Sequence, residues 1–128
     1  MGAMSFDAAS VIAFAPSIDL GRSRVFYETV LGLPVLDQSP YACVLQSGGT
    51  MLRVTKVEQL TVQPFTVLGW GVQDIHETIA DLATRGVAFV RFEGMGQDAD
   101  GIWAAPGGDL IAWFRDPDGN MLSLTQFA

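Results

Sequence analysis

Apolar residues along this chain follow two rhythms, and the two halves use them in the same order. The run Val11-Ile12-Ala13-Phe14-Ala15 is continuously apolar and reads as a buried strand. Asp19 then supplies a helix N-cap, and Leu20, Val25, Phe26, Val30 and Leu31 recur at helical spacing until Gly32, which suits the left-handed closing residue. Short β-type runs follow at Leu33 to Leu36, Ala42 to Gln46 and Met51 to Thr55, with Gly48-Gly49 as the turn between the last two. The second half starts again with the apolar run Phe65 to Val72. Asp74 with Glu77 three residues on resembles a capping box, and Ile75, Ile79 and Leu82 mark the inner face of a helix that stops at Gly86. Strands are expected near Val87 to Arg91, Gly101 to Ala105, Asp109 to Phe114 and Met121 to Gln126. Between the halves, residues 57–64 lack a period and contain Pro64, as a connection would.

The repetition extends to the residues themselves. Gly49-Thr50-Met51-Leu52-Arg53-Val54-Thr55 matches Gly119-Asn120-Met121-Leu122-Ser123-Leu124-Thr125 as Gly-x-Met-Leu-x-x-Thr. The offset is 55 residues from Asp19 to Asp74 but 70 from Gly49 to Gly119, so the second unit carries an insertion after its helix. Its place is Phe92 to Asp109, rich in Gly and Asp, a loop of the kind that more often carries binding contacts than scaffold. Two copies of one supersecondary unit, each too small to bury its apolar face alone, predict a single α+β domain of two tandem βαβββ units, about 9–56 and 65–127.

Composition narrows the partners. The chain is 49% hydrophobic and 16% charged, against roughly 25% charged in an average domain, which suggests surface covered by another subunit. A formal net charge of −7 provides no basic patch for nucleic acid and argues against an anionic membrane. The single cysteine, Cys43, excludes an intrachain disulfide and a thiolate-rich metal site, and fits a reducing cytoplasm. The N-terminus has no positively charged and apolar leader pattern, no apolar run is long enough to span a membrane, and Met4 is a candidate start after Met1 to Ala3.

The chain resembles the vicinal oxygen chelate superfamily, which includes glyoxalase I, bleomycin- and fosfomycin-resistance proteins and extradiol dioxygenases. The resemblance rests on Asp19-Leu20, Ser23, Phe26-Tyr27 and Leu31-Gly32-Leu33, then Val72, Asp74-Ile75 and Gly86, and the closing Phe114-Arg115-Asp116-Pro117-Asp118-Gly119-Asn120. It implies a U-shaped mixed sheet whose cleft holds a divalent metal or a ligand, usually in a homodimer. Carried over by spacing, the metal positions implied by the resemblance are Ile12, Val67, Arg53 and Ser123. These are not a usual donor set for Mg, Mn, Fe, Ni or Zn, so no metal cofactor is expected; one would return if the register were displaced.

The same positions suggest another chemistry. A guanidinium at residue 53 facing the cleft would pair with a carboxylate, phosphate or enolate oxygen of a ligand, with an Asp or Glu of the chain, or with solvent. Phe14, Tyr41, Trp70, Trp103 and Trp113 fall on or beside strands, where some would line the cleft and stack on a planar ligand while others fill the core. His76, the only histidine, sits beside the apolar stripe of its helix and reads as a solvated side chain. Cys43 reads as a small buried residue, and Asp116 and Asp118 as parts of an Asp-Pro-Asp-Gly turn. The glycines of the insertion lack the helix and lysine of a phosphate-binding loop. The favoured expectation is a metal-independent protein that binds a small organic molecule in the cleft. A metal-dependent glyoxalase-type lyase, isomerase or dioxygenase and a degenerate non-binding member are the alternatives.

Overall fold

The computed structural model describes residues 5–128; the candidate leading segment up to Met4 lies outside the described residues. Strand β1 (Ile12–Ser17) leads into helix α1 (Leu20–Arg24), and β2 (Val35–Gln38), β3 (Ala42–Ser47) and β4 (Thr50–Lys56) complete the first unit. The second comprises β5 (Thr66–Gly71), α2 (Ile75–Thr84), β6 (Trp103–Ala104), β7 (Leu110–Arg115) and β8 (Met121–Gln126). Each unit forms a four-stranded mixed sheet, ordered β1-β4-β3-β2 and β5-β8-β7-β6. In both, the first strand pairs in parallel with the last and the remaining pairs are antiparallel. The architecture is α+β, and the repeat read in sequence is a repeat of topology.

The caps form as the residue types dictate. Asp19 accepts the N–H of Arg22 and Asp74 that of Glu77, which satisfies a free N–H in each first turn. Gly32 and Gly86 close the helices at φ +77° and +87°. Beyond α1 the helix widens into a π segment, Val25–Val30, where the N–H of Leu31 reaches the carbonyl of Phe26 at 2.9 Å. Adjacent Phe26 and Tyr27 both join the core there, edge to face at 5.1 Å.

One expected strand is absent. Residues 87–91 make only an isolated bridge, Phe89 to Phe114, because a side chain takes over part of the local hydrogen bonding. The Gln97 amide accepts from the N–H of Phe92 and donates to the carbonyls of Val90 and Gly101. That amide ties the insertion down without a ladder.

A single core serves both units. Ala15, Leu45, Leu52 and Val54 of the first cluster with Ile75, Ile79, Phe114, Leu122 and Leu124 of the second. Polar bonds cross the same seam. The buried Tyr27 hydroxyl donates to Asp116 Oδ2 at 2.7 Å, and Asn120 Nδ2 donates to the Pro16 carbonyl and to Asp116. Asp118 accepts from the Ile18 N–H, the Ser23 hydroxyl and the Arg22 guanidinium. The turn Asp116 to Asn120 is therefore a latch between the units.

Candidate functional site

Because side chains alternate along a strand, the residues that build the core determine which ones face the open side of each sheet. Leu52 and Val54 are buried in the core, which places Arg53 on the opposite face of β4. In register it lies between Phe14 of β1 and Val44 of β3. Arg53 is half-buried and makes no ion pair or hydrogen bond among the described residues, whereas Arg22, Arg24 and Arg85 each pair with a carboxylate. Ile12 and Phe14 are 44% and 59% exposed, so this open face presents a cation beside apolar surface.

The equivalent face of the second sheet is built differently. Ser123 occupies the position of Arg53 and lies in register between Gly69 and Trp113. A Cβ on Gly69 would stand 2.6 Å from Ser123 Oγ, so the absence of a side chain lets the serine hydroxyl lie over β5. Trp113 packs against Trp103, with ring centroids 6.3 Å apart, and edge to face against Phe92 at 5.3 Å. Phe92 was not among the sequence candidates; its signal was its place at the start of the insertion.

The structure brings Trp103 and Trp113 together on one sheet and Phe14 beside Arg53 on the other. Trp70 belongs to the core side, where its indole stacks 6.4 Å from Phe114 and its Nε1–H donates to Ser47 Oγ at 2.9 Å. Tyr41 stands 78% exposed just before β3. An irregularity between Thr66 and Leu68 removes Val67 from the pairing and sets Gly69 opposite Ser123, while Ile12 pairs with Met51, two residues before Arg53. The carried-over set, Ile12, Val67, Arg53 and Ser123, and the set paired in register, Phe14, Gly69, Arg53 and Ser123, each hold one guanidinium, one hydroxyl and two residues without a donor side chain. Such a set does not fit a divalent cation, which needs carboxylate, imidazole or thiolate donors.

The remaining titratable candidates lie elsewhere. His76 is exposed in the first turn of α2, its ring nitrogen within 4.8 Å of carboxylate oxygens of Asp98 and Asp100, also exposed. Cys43 is fully buried, and burial raises its thiol above the ordinary range, which disfavours the nucleophilic thiolate. Burial, followed by the charge of Asp116, holds the Tyr27 hydroxyl protonated far above the usual tyrosine range. Burial alone would raise the Asp118 carboxyl, but the Ile18 N–H, the Ser17 and Ser23 hydroxyls and the Arg22 charge outweigh it and hold it low. Tyr27 and Asp118 are engaged in holding the fold.

A model of the glyoxalase/bleomycin resistance protein/dioxygenase superfamily matches residues 12–124. No curated protein matches the chain. Among solved structures, a lactoylglutathione lyase from Agrobacterium tumefaciens is similar at a TM-score of 0.73 and 16% identity, covering 93% of each chain. A bleomycin resistance determinant encoded on transposon Tn5 is similar at 0.70 and 22% identity, over 94% of this chain and 98% of that one. A superfamily member from Sphaerobacter thermophilus DSM 20745 is similar at 0.70 and 23%, over 93% and 97%. These likenesses establish the shared fold, and the family match, spanning most of the sequence, shows that the chain belongs to the glyoxalase/bleomycin resistance protein/dioxygenase superfamily.

Proposed function

We propose that the protein binds a small organic ligand bearing an anionic group, without a metal ion, on the open faces of its sheets. The observation that carries this reading is Arg53, a half-buried guanidinium with no carboxylate partner among the described residues, set between Phe14 and Val44. A guanidinium retains its charge at any physiological pH, and its fork of donors matches a carboxylate or phosphate. Trp113, with Trp103 and Phe92 against it, supplies a surface suited to a planar or apolar body. The donor set at the family's metal positions supports the metal-free form of the reading.

The same reading includes a homodimer. Val11, Tyr41, Phe65 and Phe127 are large apolar side chains left exposed on the single chain, apolar area that a second subunit would cover. No helix among the described residues is long and apolar enough to cross a membrane, and the cytoplasm remains the proposed location.

Calorimetric titration with 2-naphthoate, and with neutral 2-naphthalenemethanol as its control, tests the function. The acid binds and the alcohol binds at least tenfold more weakly. Arg53→Ala removes the difference, one charge-assisted pair corresponding to about 1.5–3 kcal/mol. Equal affinity of the two compounds, or an Arg53→Ala variant that retains the preference, sinks the reading. So does about one tightly held divalent ion per chain by elemental mass spectrometry.

A further inference from the structure

A separate hollow lies at the seam of the two units, lined by residues other than those assigned to the sheet faces. Its volume is about 430 Å³, within the usual range for small-molecule sites. Phe26 and Val30 of the π segment line it from the first unit, and Val87, Ala88 and Val90 from the second, together with Arg85 and Arg115. Arg85 spans the seam: its Nη1–H donates to the Val30 carbonyl at 2.9 Å and its Nη2–H to Asp81 at 2.8 Å. Arg115 donates to the Gly119 carbonyl at 2.9 Å and makes no ion pair among the described residues.

The charge pattern is unusual for this chain. Its net charge is −7 and it has only seven basic residues, yet two of its arginines line one apolar hollow. A guanidinium carries five N–H donors, and the protein uses one of Arg115's and two of Arg85's. Donors therefore remain for a further acceptor, beside apolar walls that favour a hydrocarbon body.

We propose that this seam hollow binds an amphiphilic monocarboxylate, a medium-length alkyl acid whose carboxylate meets Arg115 and Arg85 and whose body lies against Phe26, Val30 and Val87. Both units supply walls, so the site exists only when they are docked, and the ligand stabilises the folded chain by mass action. The site does not use Arg53 and stands independently of the sheet faces.

Octanoate is the probe, with 1-octanol as the uncharged control, read by calorimetry and by the shift in thermal unfolding at fixed protein concentration. Measured in the Arg53→Ala background, octanoate binds saturably at one site per chain and octanol binds at least tenfold more weakly. In that background Arg115→Gln weakens octanoate tenfold or more, and Ala88→Trp abolishes binding by filling the hollow. Arg115 and Ala88 are exposed, and circular dichroism checks that both variants retain the fold. Absence of binding, equal affinity for octanol, or full affinity in Arg115→Gln overturns the proposal. So does loss of octanoate in Arg53→Ala, which would assign the carboxylate to the sheet face instead.

Discussion

Removing the hydroxyl of Tyr27 while keeping its ring tests whether the latch between the units stabilises the fold. The side chain is fully buried and its hydroxyl donates to Asp116 Oδ2 at 2.7 Å, across 89 residues of sequence. In Tyr27→Phe the ring still packs against Phe26, so almost no volume is lost. What changes is the carboxylate: Oδ2 retains only the Asn120 amide donor, while Oδ1 keeps the N–H groups of Asp118 and Asn120. A hydrogen bond to a charged group contributes about 1.5–3 kcal/mol, and three of the four donors remain, so a loss of about 2 kcal/mol is expected. That is a substantial share of the roughly 5–15 kcal/mol typical of a domain. Urea unfolding at one fixed protein concentration measures it, with an unchanged dependence on denaturant showing that both states keep their exposure. A double-mutant cycle with Asp116→Asn isolates the pair, and a coupling of at least about 1 kcal/mol is expected. A loss below about 0.5 kcal/mol, or additive effects of the two substitutions, would refute the assignment of this contact as a latch.

Other outcomes follow from the same network and core. The Asp118 carboxyl is held low in the folded chain, so its contribution is present above its unfolded value and is lost as pH falls through the folded one. Stability of the wild type therefore drops below about pH 4, and Asp118→Asn flattens that part of the profile, as followed by the urea midpoint against pH; parallel profiles would contradict the inference. Cys43 is fully buried with its thiol raised by burial, so an aromatic disulfide reagent labels it only at the rate of unfolding. Rapid labelling under native conditions would show that β3 is open to solvent.

The sequence by itself determined whatever depended on neighbours a few residues apart. Asp19 and Asp74 cap helices because their carboxylates reach N–H groups three residues on, and Gly32 and Gly86 end them because glycine tolerates positive φ. The repeated Gly-x-Met-Leu-x-x-Thr string gave matching last strands, and strict alternation put Arg53 and Ser123 opposite the buried leucines and valine. Tertiary structure decided what depended on packing between the units. A register irregularity near Val67 set Gly69 rather than Leu68 opposite Ser123, and a one-residue change of that kind leaves no mark in an apolar run. Trp70 could have faced either side of β5; contact with Phe114, 44 positions later, and with Ser47 in the other unit settled it. The run at 87–91 looks like a strand until the Gln97 amide is seen to hold its neighbourhood, and the Tyr27–Asp116 bond and the two-arginine hollow exist only because the halves dock. Local chemistry is encoded in adjacent residues, whereas partners distant in sequence depend on how the chain packs, so the fold was legible before the structure and the contacts that the two halves supply to each other were not.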